Sequence, residues 1–288
     1  MRPQRRLVAR KCATTFRFPY FVLVAAMLGV AWPLRAQQTD TLPPEPPPEP
    51  VFTVHDLVYV GGVAVATLAV KPLDSAAMVY LQKHWQTNKR IKSLSRVVET
   101  TAVPGALIIG TGLYVGGRLA HDRRAADLGL HGTEAILIGT ALTTVIKFTA
   151  GRARPYVSQN PHDYGLWRGF AHEEYRSFPS GHTLTAFAAA AAVTQETSAW
   201  WPHSTWYIAP LMYGGASVVG LSRMYNNKHW ASDVVMGAAI GIFTGRRVVL
   251  WQHSHRGNSL DRWLLGVRVA PTGDGSAMEM TPLIGRER

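Results

Sequence analysis

From Val54 onward, apolar residues run in long blocks separated by short polar stretches. Ala, Leu, Val and Gly dominate the blocks and alternation with period two is scarce, so the pattern reads as helices joined by loops. It predicts helices over Val54–Val70, Ser75–Trp85, Pro104–Ala120, Thr133–Ala150, Gly181–Thr197, Thr205–Leu221 and Ala231–His253. The expected fold class is all-α, a helical bundle with about six core helices. The tail differs: 265–270 alternates, Pro271-Thr272-Gly273-Asp274-Gly275 is rich in turn formers, and 277–283 fits a returning strand. A short C-terminal β-hairpin and a disordered tail both fit this segment.

Membrane embedding follows less directly from the pattern. Ala102–Ala120 and Ser204–Ser222 are long enough to span, the first with Arg118 reaching back toward a surface. The other uncharged cores, such as Ala135–Ile146, Thr183–Gln195 and Val234–Gly245, are of the length usual for buried helices. Mean hydropathy is zero, low for a protein with six spans. The pattern therefore favours an exported, largely helical globule resting on a membrane over an integral one. Embedding would also carry a topological cost. With six spans entered from outside, Lys147, Arg154 and His229 would face the cytoplasm, and the basic loop of Lys83, Lys89, Arg90, Lys92 and Arg96, which favours the inside, gives the same parity.

The segment before the bundle sharpens the picture. Residues 1–36 hold Arg2, Arg5, Arg6, Arg10, Lys11, Arg17 and Arg35 and no acid, around an apolar run from Phe21 to Trp32. This reads as a signal peptide cleaved after Ala36, or as an uncleaved anchor. Much of the net charge of +12 is thus a targeting feature. No basic stripe remains on the folded part, and a nucleic-acid partner is not expected. Residues 37–52 form a Pro-rich linker, 53–256 the helical domain and 257–288 the tail. The single cysteine, Cys12, lies in the targeting segment. The exported chain would have no thiol for a disulfide, a zinc–thiolate site or nucleophilic catalysis. The expected location is the periplasm or cell envelope.

Three separated segments carry the chemistry. They are Lys147 with Arg154-Pro155, then Pro179-Ser180-Gly181-His182, then Ser222-Arg223 with His229 and Asp233. In order and spacing they resemble K-x6-R-P, P-S-G-H and S-R-x5-H-x3-D. That pattern belongs to the superfamily of type 2 phosphatidic-acid phosphatases, bacterial class A acid phosphatases and vanadium haloperoxidases. The likeness covers Lys147 to Asp233 directly. It implies a metal-independent phosphatase acting on phosphate mono- or diphosphate esters, on a phosphorylated lipid or a small phosphate ester, and plausibly associated with a membrane. No cofactor is implied, and vanadate is expected to inhibit as a phosphate analogue.

The resemblance makes His229 the nucleophile, forming a phosphohistidine, and His182 the general acid. His229 and Asp233, four residues apart at a helix start, share one face. If Asp233 accepts from one ring nitrogen, the other is left unprotonated to attack. The plain alternative is a surface histidine beside a capping Asp. Ser180 is a good N-cap before a helix-forming run, whose start presents free N–H groups to an anion. Gly181 permits close backbone approach. Lys147, Arg154 and Arg223 would neutralise the phosphoryl oxygens as the five-coordinate state forms. With His229 neutral and His182 protonated, a bell-shaped pH profile is expected.

Arg152 falls outside the motif. His162 and His172 are expected to be exposed, and His253-Ser254-His255 reads as a solvated helix end more than as a metal signal. The loop from Tyr156 to Phe178 carries Tyr156, Tyr164, Trp167, Phe170 and Tyr175, which fit an apolar entrance for substrate or a loop packed on the bundle. Two other functions share the motif, a vanadate-dependent haloperoxidase and a non-catalytic phospholipid-binding protein.

Overall fold

The computed structural model describes residues 50, 52–86, 88–255, 267–271 and 278–282. The segment read as a signal peptide or anchor, nearly all of the Pro-rich linker and the greater part of the tail lie outside the described residues. Eight helices are described: α1 (Val54–Val70), α2 (Asp74–His84), α3 (Lys89–Ala120), α4 (Arg123–Ala150), the one-turn α5 (Arg168–Ala171), α6 (Gly181–Trp200), α7 (Thr205–Tyr225) and α8 (Ala231–Ser254). A 3₁₀ turn at Lys71–Leu73 joins α1 to α2. Of the two readings of the tail, the backbone takes the hairpin. Strands β1 (Val267–Pro271) and β2 (Met278–Pro282) pair antiparallel, with Val267 opposite Pro282.

The fold is the expected all-α bundle, but two helices begin well before the places the pattern suggests. α3 runs for 32 residues from Lys89, and Pro104 lies inside it rather than at its start. Its opening, KRIKSLSRVVET, is too polar to stand out as an apolar block. Asn88 starts it by accepting from the N–H groups of Arg90 and Ile91. α4 begins at Arg123, ten residues early, where the Asp122 side chain accepts from Ala125 N–H.

α6 is the centre of the bundle and touches α3, α4, α7 and α8. Leu184, Ala188, Ala190, Ala191 and Ala192 are all buried, so α6 is apolar nearly all round, as a central helix must be. Its tightest neighbour is α8. Gly237, Gly241 and Gly245 stand one turn apart on α8, where a Cβ would strike the carbonyl oxygens of Ser180, Leu184 and Ala188. This small-residue seam lets the two backbones approach closely. It brings the first turns of both helices, with His182 and Asp233, to one end of the bundle.

Among the described residues, four helical segments are long and apolar enough to cross a membrane: Val54–His84, Lys89–Ala120, Arg123–Ala150 and Ala231–Ser254. This corrects the expectation of only two such stretches. Counting uncharged cores understates helices whose charged residues sit near their ends, and the helix containing Ser204–Ser222 is not among the four. Outward faces are apolar as well: Val58, Val65, Leu68, Ile108, Leu137, Val145, Trp206 and Leu211 are all exposed. Bare aliphatic surface on this scale is costly in water and ordinary against lipid. It favours an integral protein over the exported globule.

Candidate active site

One end of the bundle holds a cavity of about 330 Å³ lined by Glu99, Lys147, Arg154, Glu173, Gly181, His182, Arg223, Lys228 and His229. All three motif segments contribute, from the end of α4, the start of α6, the end of α7 and the loop before α8. Ser180 and Asp233 do not line the cavity but support those that do.

The polypeptide just before α6 is held by side chains of the site. The Lys147 ammonium, in the last turn of α4, donates to the carbonyls of Arg176 and Pro179. Ser180 N–H donates to the Asp233 carbonyl over 3.0 Å, tying the start of α6 to α8. Ser180 occupies the N-cap position with extended backbone, but its hydroxyl does not cap the helix. It accepts from the Thr183 hydroxyl at 2.8 Å. The expected side-chain cap is therefore absent at Ser180, because its neighbour on the first turn competes for the oxygen.

Arg223 pairs with Glu99 of α3 at 2.9 Å. Arg154 meets Glu173 only at 3.8 Å, with Glu173 largely exposed. The Nε groups of Arg154 and Arg223 are buried and have no hydrogen-bond partner among the described residues. Buried donors of that kind are rare and suit an anion.

His229 is 2 % exposed and Asp233 fully buried. The His229 Nδ1–H donates to the Ser177 carbonyl at 2.7 Å. Asp233 Oδ2 stands 3.6 Å from the same nitrogen, beyond hydrogen-bond range. The expectation that Asp233 accepts from the ring is corrected: the carbonyl takes that proton because the Asp oxygens are already engaged. Oδ2 accepts from the Ser177 hydroxyl at 2.5 Å and Trp230 N–H at 2.9 Å, and Oδ1 from Arg152. Asp233 thus positions Ser177, whose carbonyl positions His229. The outcome for the imidazole is unchanged, with Nδ1 protonated and Nε2 left as the free nitrogen.

Burial pulls the His229 imidazole down to about 3, against the opposing pull of Asp233 and with help from Lys147. His182 lies in the first turn of α6, outside the four candidate spans. Burial and then the Arg223 guanidinium pull it down to about 4. Both rings are neutral in the open site at neutral pH. For His182 this runs against the protonated form expected of a general acid.

Sequence reasoning passed over several participants. Arg152 is fully buried at the root of the site. Its guanidinium bonds Asp233, reaches Asp74 of α2 at 2.7 Å and the Ser232 hydroxyl at 2.8 Å, and donates to the Pro161 carbonyl. Asp74 in turn accepts from Ser232 N–H and Oγ. In the run Gly-Arg-Ala-Arg-Pro nothing local separates Arg152 from Arg154. The distinguishing signal is an acid, Asp74, that lies far away in the sequence. Glu99 was likewise indistinguishable from other charges on a polar helix start.

The loop from Tyr156 to Phe178 is packed rather than open. Its backbone is bonded to the residues before it, through Ala153 N–H to Asp163 O, Arg154 N–H to Glu174 O and Trp167 N–H to Thr149 O at the end of α4. Tyr164 stacks on Arg152 and Tyr175 on Arg168. Of this loop only Glu173 lines the cavity. His162 and His172 are exposed, as expected.

Residues 130–256 match the family model for the PAP2 superfamily, a range that contains every motif residue. Over 69 residues the chain is 51% identical to a lipid A 1-phosphatase of Porphyromonas gingivalis, covering 24% of this chain and 15% of that protein. It is 33% identical over 112 residues to a lipid A 1-phosphatase of Rhizobium johnstonii, covering 37% of this chain and 40% of the relative. The chain thus spans less than half the length of these curated relatives. The crystal structure of a transmembrane PAP2 type phosphatidylglycerolphosphate phosphatase from Bacillus subtilis superposes with a TM-score of 0.52 at 19% identity, covering 70% of this chain and 98% of that one. That likeness establishes the fold.

Proposed function

Because residues 130–256 match the family model for the PAP2 superfamily, we propose that this chain is a membrane-embedded lipid phosphatase working through a phosphohistidine. One observation carries the reading: both imidazoles and all three motif cations line one cavity.

In the proposed reaction, Lys147, Arg154, Arg223 and the first N–H groups of α6 hold the phosphoryl oxygens. His229 Nε2 attacks phosphorus, and the bond to the ester oxygen breaks as the alcohol leaves with the His182 proton. Neutral His182 then takes a proton from water, whose oxygen displaces His229 and releases inorganic phosphate. Every step has a protein group assigned, so turnover is expected to survive a strong chelator and to be blocked by vanadate.

The apolar outer surface and the lipid-acting relatives favour an amphiphilic substrate, and the phosphate of lipid A is the first candidate. The test is a panel of lipid A, phosphatidate, phosphatidylglycerol phosphate, a prenyl diphosphate and a soluble aryl phosphate, offered to detergent-solubilised enzyme. Lipid esters are expected to exceed the soluble ester in kcat/KM by at least about tenfold, the worth of 1.4 kcal/mol of apolar contact. Equal rates across the panel would remove the lipid assignment, and no turnover of any ester would remove the phosphatase. Carbonate extraction of membranes should leave the protein in the pellet.

The histidine environments give a pH prediction. His229 at about 3 stays free to attack at any pH above roughly 4. His182 at about 4 is short of its proton in the free enzyme, so kcat/KM should rise as pH falls from 8 to 5. A bound phosphate dianion favours the imidazolium, so the alkaline limb should lie at higher pH in kcat than in kcat/KM. Coincident limbs would contradict the role given to His182.

A further inference from the structure

At the opposite end of the bundle, three helices aim a second set of polar side chains at one point. His131 is near the start of α4, Glu196 near the end of α6 and His253 near the end of α8. On α4, His131 precedes Lys147 by sixteen residues, roughly 24 Å along the axis, so this cluster is separate from the phosphate cavity. Glu196 is fully buried and His131 is 2 % exposed. His131 Nδ1 lies 2.6 Å from Glu196 Oε1, and His253 Nε2 lies 3.0 Å from Oε2.

We propose that His131, Glu196 and His253 bind a divalent transition-metal ion, with zinc as the best match. The ligating atoms, one from each residue, all lie within 4.8 Å of one another. Tetrahedral zinc with nitrogen and oxygen ligands at about 2.0–2.2 Å sets such atoms about 3.4 Å apart. The observed separations need only a small expansion around the ion. Two imidazoles and one carboxylate select zinc over magnesium or calcium, which prefer oxygen throughout.

Charge points the same way. Asp127, one turn before His131 on α4, is near enough to interact with His131, Glu196 and His253. With neutral imidazoles the cluster carries two carboxylates in a largely buried place, which a divalent cation would neutralise. Beside it, Gln252 donates to Glu134 at 2.6 Å. This bond links the residue next to His253 with α4, one turn from His131, and holds both helices in register. An ion there would fasten α4, α6 and α8, the helices that carry the catalytic groups at their far ends. His253 therefore serves this site and is not the solvated helix end that its local sequence suggests.

The test uses the full chain in detergent, stripped with a chelator, reloaded with zinc and desalted, with metal counted by mass spectrometry. Wild type should retain about one zinc per chain, matching one three-ligand site. His253→Ala and Glu196→Gln should each weaken zinc by more than about 100-fold, beyond the roughly 10–100-fold typical for loss of an outer partner. His253→Cys, which keeps a zinc ligand, should recover much of the loss. Cobalt substitution should give the intense visible bands of a tetrahedral site in wild type and not in His253→Ala. His253 lies at the rim and away from the phosphate cavity, so retained phosphatase activity shows that His253→Ala is folded even if Glu196→Gln is not. A wild-type protein that retains no zinc, or a His253→Ala protein that retains as much as wild type, would overturn the assignment. The cluster would then be a buried carboxylate hydrogen-bonded between two imidazoles.

Discussion

Replacing His229 with alanine is expected to lower kcat by about 10⁴-fold or more, the loss usual when a nucleophile is removed and only binding and charge stabilisation persist. His229 is held ready for attack at the cavity. Its Nδ1–H is committed to the Ser177 carbonyl at 2.7 Å. Its other nitrogen is free, and burial keeps it unprotonated. His182 sits beside Arg223 and the Glu99 backbone, and the guanidinium adds to burial in disfavouring its imidazolium. Labelled substrate should transfer phosphate to wild type in a rapid quench, as an acid-labile and alkali-stable adduct, and not to the variant. His229→Gln is the companion variant, since its amide can still donate to the Ser177 carbonyl and preserve the loop. If His229→Gln is folded, inactive and unlabelled, the nucleophile is assigned. Activity retained in either variant removes the phosphohistidine mechanism while leaving the fold untouched.

The second large effect is expected at Arg152. Its guanidinium is shared between Asp74 and Asp233, both fully buried. Arg152→Leu leaves two buried carboxylates without a counter-charge, which typically costs about 3–5 kcal/mol. Arg152→Lys should fall between, because a single ammonium cannot bridge two carboxylates and the Ser232 hydroxyl in the way a planar fork does. Unfolding of the purified protein in detergent measures the cost. A functional readout separates positioning from mere stability. Arg152 reaches the reaction only through Asp233 and then Ser177, so Arg152→Lys at a permissive temperature should reduce kcat more than it raises KM. An unchanged midpoint of unfolding in Arg152→Leu would show that the network is not the anchor described.

How much of this was legible in the residue order varies by element. The α1 limits and the first residues of α6, α7 and α8 agree with the apolar pattern, because each block is bounded by Pro, Gly or polar residues that end a helix locally. The start of α3 was not legible, since its first turns are polar and amphipathic and take their order from Asn88 and from contact with α7. The number of spans was not legible either. It depends on helix length, and a helix continues through charges that can reach an interface.

The motif letters alone picked out Lys147, Arg154, His182, Arg223 and His229, which line one cavity, because phosphate chemistry demands particular residue types at short, fixed spacings. They also determined that the chain would be helical, since hydrophobic periodicity is a local property. Only the tertiary structure decided which distant residues serve them. Asp74 reaches Arg152, Ser177 takes the ring proton expected to go to Asp233, and Glu99 meets Arg223. It also decided that His131, Glu196 and His253 form a group at all. The physical reason is the same in each case. Burial removes water as a partner, and a charge deprived of water must find its complement wherever the packing of helices brings one, at a sequence distance that no local pattern records.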